Sequence, residues 1–316
     1  MTVRTALEVI ADHDLTGREA IVTGGAAGLG FETARALAAA GARVVLAGRD
    51  QRVGAAAVAT LRASTGNDRI VFRPLDLASL ESVTTWAHKH AATGKPLHIL
   101  ILNAGIMATP LRRTADGIES QFAVNYLGHF ALTMGLLPSL RAAGSARVVS
   151  LTSRAHRRGD IDFNDPNYLR RQYDPWQAYG QSKTACALLA VGLHARYAAE
   201  GLTANTVMPG GIVTGLQRHL DPEQLAAAGW PALRRRGDTP PGWRTPEQGA
   251  ATSVWAAVEP GLVGGEYLED CSVAAAWTAD GNPPPGYYLP YAVDPGRADR
   301  LWTLAEQLVA RAGCEP

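Results

Sequence analysis

The chain has 316 residues, of which 47% are hydrophobic and 19% charged, and a formal net charge of +1. That composition supports a sizeable core, and a charge so near zero excludes the electrostatic footprint of a nucleic-acid or anionic-membrane binder. The length allows one large domain or two ordinary ones.

The opening residues, "MTVRTALEVIADHDLTG", carry acidic side chains and no long apolar core, so they do not read as a signal peptide. The stretch "EAIVT" (19–23) then reads as a short buried strand. A glycine cluster and a helical pattern, "FETARALAAAG" (31–41), follow it. There Phe31, Ala34, Leu37 and Ala38 share one face and Gly41 marks the stop. Further apolar runs lie at 42–48, 69–76, 97–103, 146–152 and 202–208, with helical patterns between them. Near-continuous apolar strands alternating with helices predict a doubly wound α/β fold. Its sheet is mostly parallel and covered by helices on both faces.

Two segments break that rhythm. Residues 154–177 are polar and aromatic, and residues 215–245 are rich in Pro, Gly, Trp and Arg. Loops of that length in a compact domain are functional lids or disordered. Residues 281–296 read as an extended surface crossing, and "ADRLWTLAEQLVARAG" as a final helix. With no repeat and no composition shift, residues 1–316 are expected to form a single domain of the Rossmann type. No run approaches the roughly 20 apolar residues of a membrane span. The three cysteines, Cys186, Cys271 and Cys314, show neither metal-ligand nor redox spacing. A reducing, cytoplasmic location and no metal are therefore expected. The basic run Arg234–Arg236 reads as solvated surface.

The glycine cluster is "TGGAAGLG" (23–30), with Gly24, Gly28 and Gly30 spaced G-x-x-x-G-x-G. A glycine turn between a first strand and a first helix lets backbone approach a pyrophosphate at the positive helix N-terminus. The same turn alone would also serve as a plain tight turn. At the end of the second strand, "LAGRD", Gly48 stands where an acid would bind the 2′-hydroxyl of NAD. Arg49 follows, and a guanidinium suits a 2′-phosphate. NADP(H) is the expected cofactor, although Asp50 would partly cancel the charge of Arg49.

Farther along, "AYGQSK" places Tyr179 and Lys183 at i and i+4, on one helical face. An ammonium near a phenol favours the phenolate, which suits a general acid/base. Ser153, after a strand, would hydrogen-bond a carbonyl oxygen as charge develops there. His129 reads as a packing histidine and His156 as packing or a substrate contact. Trp230 and Trp243 read as lid aromatics or surface packing.

These motifs together resemble the short-chain dehydrogenase/reductase family over about residues 15–270. The resemblance rests on "TGGAAGLG", "LDL" (75–77), "NAG" (103–105), "VNYLGHF" (124–130), "VVSLTS" (148–153), "YGQSK" (179–183) and "MPGGIVT" (208–214). The "NAGIM", the segment from Asp116 to Phe130, the long gap from Ser153 to Tyr179 and "GEYLEDC" resemble its retinol-dehydrogenase-like branch.

The resemblance implies a seven-stranded sheet, pairing of subunits through long helices, and a small-molecule carbonyl or alcohol substrate. It makes Tyr179 the acid/base, Lys183 its partner, Ser153 the carbonyl-binding hydroxyl and Asn125 the proton-relay support. It gives the pyrophosphate turn to Gly24, Gly28, Leu29 and Gly30, and the adenine pocket to Asp76 and Leu77. Asn103, Ala104 and Gly105 would face the adenosine ribose. Pro209, Gly210, Val213 and Thr214 would face the nicotinamide. An NADP(H)-dependent carbonyl reductase or alcohol dehydrogenase for an apolar or moderately large substrate is the expected function. The alternatives are a same-fold enzyme acting on a C=C or imine bond, a redox-assisted rearrangement, and a non-catalytic NADP sensor.

Overall fold

The computed structural model describes residues 3–217, 220–227, 229 and 239–314. Trp230 and Arg234–Arg236 lie outside the described residues. A short helix, α1 (Ala6–Ile10), comes first. Its start is fixed by a capping box, in which Thr5 accepts from the Glu8 N–H and the Glu8 carboxylate accepts from the Thr5 N–H.

Eight strands then form one sheet: β1 (Glu19–Thr23), β2 (Arg43–Gly48), β3 (Ile70–Pro74), β4 (Ile99–Leu102), β5 (Ala146–Leu151), β6 (Leu202–Met208), β7 (Tyr267–Glu269) and β8 (Ser272–Val273). Their order is β3-β2-β1-β4-β5-β6-β7-β8. The first seven pair in parallel. The two-residue β8 adds an antiparallel edge to β7. Burial on both faces explains why β4 is wholly apolar and β1 is apolar from Ala20 to Val22: every residue of each strand is buried.

The crossovers are helical: α2 (Gly28–Ala39), α3 (Gln51–Thr65), α4 (Leu80–Ala91), α5 (Ser120–Phe122), α6 (Gly128–Gly135), α7 (Leu137–Ala142) and α8 (Pro175–Tyr197). After β6 come α9 (Pro222–Ala227), α10 (Pro246–Gly249) and α11 (Ala251–Val258). On one side of the sheet Leu100, Phe130, Leu188 and Trp302 share a core; on the other Leu37, Leu61, Ile101 and Val207 do. Each such fully buried side chain contributes about 1.5–3 kcal/mol of hydrophobic free energy.

Helix α8 begins inside the segment read from sequence as a loop. Pro175 sits in its first turn, and the Asp174 carboxylate caps it by accepting from the Gln177 N–H at 2.7 Å. Every residue from Ala178 through Leu193 is buried. A helix without a polar face is held by packing on all sides, and this one carries Tyr179 and Lys183.

Residues 274–293 form a strap in which β9 (Ala275–Ala276) pairs in parallel with β10 (Tyr287–Tyr288). The last helix among the described residues is α12 (Pro295–Arg311).

Strand order reverses between β1 and β4, which opens a crevice at the carboxyl ends of the strands. This is where α/β sheets bind ligands.

Candidate active site

The turn after β1 is built for close approach. Gly24 and Gly28 have φ of +65° and +55°, which L side chains rarely adopt. A Cβ on Gly30 would lie 2.4 Å from the Gly24 carbonyl oxygen and 2.5 Å from Asn103 Nδ2. Thr23 ties this turn to the next strand: its Oγ1 accepts from the N–H groups of Asn103 and Ala104 at 2.9 and 3.0 Å. Asn103 Nδ2 donates to the Thr23 carbonyl at 2.8 Å.

Above the turn runs a cavity of about 1020 Å³. Gly24, Gly28, Leu29, Arg49, Asp76, Leu77, Asn103, Ala104, Gly105, Tyr179, Lys183, Pro209 and Thr214 all line it. Gly30 lies beneath the turn and does not line it. Gly210 lines a neighbouring cavity, and Val213 lines neither.

Arg49 is exposed at the rim. Asp50 is engaged elsewhere: it caps α3 by accepting from the N–H groups of Arg52 and Val53 at 2.9 and 3.0 Å. The Val53 N–H bond is the main cause holding its carboxyl below the ordinary carboxylate range.

The neighbouring cavity, of about 270 Å³, holds Ser153 and Tyr179 together with Leu29, Met107, Trp176, Ile212, Leu216 and Trp243. Segment 154–177 contributes Arg154, Ala155, Arg158 and Trp176 to this wall, and segment 215–245 contributes Leu216, Gln217 and Trp243. Tyr179 lines both cavities, and only 4% of it is exposed.

Lys183, 6% exposed, donates from Nζ to the Leu151 carbonyl at 2.9 Å and lies 5.9 Å from the centre of the Tyr179 ring. Ser153 caps a 3₁₀ turn, Arg154–Arg158, and its Oγ accepts from the Ala155 N–H at 3.1 Å. With that lone pair engaged, the Ser153 hydroxyl proton is available to an oxygen in the cavity.

Asn125 reaches neither cavity. It sits in a π-helical turn, Ala123–Leu127, between α5 and α6, a distortion frequent at functional sites. Its side chain clamps Ile106, accepting from its N–H at 2.8 Å and donating to its carbonyl at 3.0 Å, and also donates to Ser182 Oγ at 2.8 Å. The Asn125 carbonyl accepts from His129 Nδ1 at 2.9 Å and Cys186 Sγ at 3.1 Å. Asn125 thus joins the loop below the large cavity to α8 and has no direct bond to Lys183.

His129 is a packing histidine: burial chiefly pushes its pKa down to about 4, and its second nitrogen meets Thr23 Oγ1 at 2.9 Å. His156 lines neither cavity and is fully buried.

Sequence reasoning did not find Met107, Trp176 or Arg158. Arg158 lies 5.2 Å over the Trp176 ring and Trp176 packs edge-on against Tyr179. Trp176 and Tyr179 share a face of α8 at i and i+3, a spacing the sequence offered, whereas the reach of Arg158 back to Trp176 follows from the fold of the loop.

This fold and site define a nicotinamide-dependent oxidoreductase class. The chain matches the short chain dehydrogenase family over residues 18–225, and it belongs to that family.

It is 50% identical over 294 residues to a "Probable oxidoreductase" of Streptomyces lividans, covering 92% of this chain and 96% of that one. It is 43% identical over 308 residues to "Polyprenol dehydrogenase" of Mus musculus (94% and 85% covered), and 37% identical over 297 residues to "Retinol dehydrogenase 12" of Homo sapiens (93% and 87%). These relatives place it in the retinol-dehydrogenase-like branch. Among solved structures, the "Pseudomonas aeruginosa RhlG/NADP active-site complex" is similar with TM-score 0.62 and 28% identity, covering 81% of this chain and 95% of that one. Among the described residues, no helix is long and apolar enough to cross a membrane.

Proposed function

We propose that the chain is an NADP(H)-dependent dehydrogenase or reductase. It would move a hydride between the nicotinamide and the carbonyl or alcohol carbon of an apolar, moderately large small molecule. The observation that carries this reading is the position of Tyr179 at the seam of the two cavities, one glycine-floored and long, the other walled by Trp176, Trp243 and Met107.

The residues present fit the cofactor. A side chain at Gly30 would press on the Gly24 carbonyl and the Asn103 amide from beneath the turn, and Gly24, Gly28 and Leu29 offer backbone to a pyrophosphate. Arg49 would take the 2′-phosphate, with Asp50 already spent on α3. Asp76 and Leu77 would hold the adenine, and Asn103 to Gly105 the ribose. Pro209, Gly210, Val213 and Thr214 would hold the nicotinamide side. When bound, the cofactor supplies the hydride.

The protein does the rest. In reduction Tyr179 gives its phenolic proton to the substrate oxygen, which completes the alcohol. Ser153 donates its hydroxyl hydrogen to that oxygen while negative charge grows on it. Lys183, tied to the Leu151 carbonyl, keeps a positive charge beside the phenol. Asn125 positions Ile106 and α8 rather than touching substrate.

The apolar wall supports an apolar substrate, as do the relatives named for polyprenol and retinol, both hydrocarbon-rich alcohols. Segment 154–177 and, from segment 215–245, Leu216, Gln217 and Trp243 act as its lids within one functional unit; the rest of 215–245 lies partly outside the described residues. The three unpaired cysteines support a reducing, cytoplasmic setting.

The test is product analysis with NADPH and a panel of apolar aldehydes, ketones, enones and imines. Alcohol formed with loss of NADPH is expected. Saturated ketone from enone, or amine from imine, with carbonyls untouched, would overturn the carbonyl assignment.

A further inference from the structure

We infer that His156 is a positioning residue for Ser153, and that it transmits the hold of the C-terminal strap to the turn that presents the Ser153 hydroxyl. The inference rests on the reading of Ser153 as the donor to the substrate oxygen.

The bonds assign the tautomer of His156. Nδ1 lies 2.8 Å from the Ser153 carbonyl oxygen, which can only accept, so Nδ1 carries the hydrogen. Nε2 receives the Leu289 N–H at 3.2 Å, so Nε2 is bare. The backbone N–H of His156 also donates to the Ser153 carbonyl, at 3.0 Å. One residue therefore holds that carbonyl twice and is itself held by the strap. Burial favours the neutral ring this arrangement needs and is the main cause lowering its pKa to about 4. The Tyr267 hydroxyl, 3.3 Å from Nδ1, completes the shell.

The rest of the turn is fastened to the same strap. Tyr291 donates its hydroxyl hydrogen to the His156 carbonyl at 2.6 Å. Arg157 donates to the carbonyls of Pro283 and Tyr287, each at 2.6 Å. Glu269 accepts from Arg154 and from the Gly286 N–H, both at 2.8 Å. The strap lies beyond residue 225, where the family match ends. This chain thus stiffens a catalytic turn with its own C-terminal segment. The turn needs it: a five-residue 3₁₀ helix has poor hydrogen-bond geometry of its own.

The test compares kcat, KM and NADPH affinity in S153A, H156A, H156N, L289P and the double variant S153A/H156A. Leu289 has φ −80°, which proline tolerates, so L289P removes the N–H donor and sets the ring's Cδ against His156 Nε2, which breaks the hold of the strap on His156. The side-chain amide that H156N introduces can still donate to the Ser153 carbonyl.

H156A is expected to lower kcat by about 10- to 100-fold, as for a misplaced reacting group, with NADPH affinity and KM within about threefold. H156N should recover most of the loss and L289P should show a loss of the same kind. In the S153A background H156A should cost less than about twofold, because the two act as one unit.

Penalties that multiply in the double variant would overturn the inference. Unchanged kcat in H156A beside a crippled S153A would overturn it while leaving the role of Ser153 intact. Full turnover in S153A would overturn both. Melting temperature reports folding. Should H156A not fold, H156N and L289P carry the test: a kcat loss in L289P with wild-type NADPH affinity supports it, and wild-type kcat in L289P overturns it.

Discussion

The ammonium of Lys183 stands 5.9 Å from the centre of the Tyr179 ring, anchored by the Leu151 carbonyl. The anchor fixes where a positive charge sits relative to the phenol, since both residues lie on the fully buried part of α8. Replacing Lys183 by Met keeps the apolar stem and deletes the charge. K183M should lower kcat about 100-fold, the lower range of acid–base contributions. Steady-state rates at saturating substrate and cofactor check this; a loss under threefold would remove Lys183 from the chemistry.

Cofactor choice is expected to turn on one side chain. Arg49 lines the large cavity beside Gly48, and no acid occupies that strand end. R49D should lower the ratio of kcat/KM for NADPH over NADH by about 100-fold, the value of one or two charge-assisted hydrogen bonds lost and a repulsion gained. An unchanged ratio would place the 2′-phosphate elsewhere.

The cradle is sterically exacting. In G30A the new methyl would meet backbone at Gly24 and the amide of Asn103. NADPH affinity should fall at least about tenfold, with a lower melting temperature, because overpacking costs about 1–3 kcal/mol. Binding titration and thermal melting read the two effects. Wild-type values for both would show that the turn is slack.

The strands and the glycine turn were legible because both are local. Strands β1 to β6 fall within two residues of their apolar runs, and Ser153 and Lys183 line two adjoining cavities that meet at Tyr179. What was not legible depends on distant pairing. The bond from Leu289 to His156 spans 133 residues, and the one from Arg157 to Tyr287 spans 130. His156 read as packing or a substrate contact, because its partners lie far along the chain. The π turn around Asn125 was equally hidden, since the apolar spacing of 120–135 reads as ordinary helix. Segment 281–296 was read as an extended crossing; it supplies β10, which pairs in parallel with β9 just before the segment, and then enters α12.

Three buried histidines tie stability to pH. Burial is the first cause lowering His90, His129 and His156 each to about 4 from the ordinary 6.5. Between those values the unfolded chain binds protons that the folded chain excludes. Stability is therefore full above about pH 6.5 and falls as pH drops through 4, by on the order of 2 kcal/mol per histidine at pH 5. Glu119, whose carboxyl burial pushes up, opposes the trend. Urea midpoints at pH 7 and pH 5 measure it. A midpoint that holds or rises at pH 5 would contradict the buried, neutral assignment.

The most direct measurement is the turnover of Y179F alongside its NADPH affinity. Phenylalanine keeps the ring that packs with Trp176 and Met107 and removes only the hydroxyl. The kcat of Y179F should fall by about 1000-fold or more, with NADPH bound as tightly as by the unaltered protein. A variant that still reduces substrate at near wild-type rates would show that the proton comes from another group.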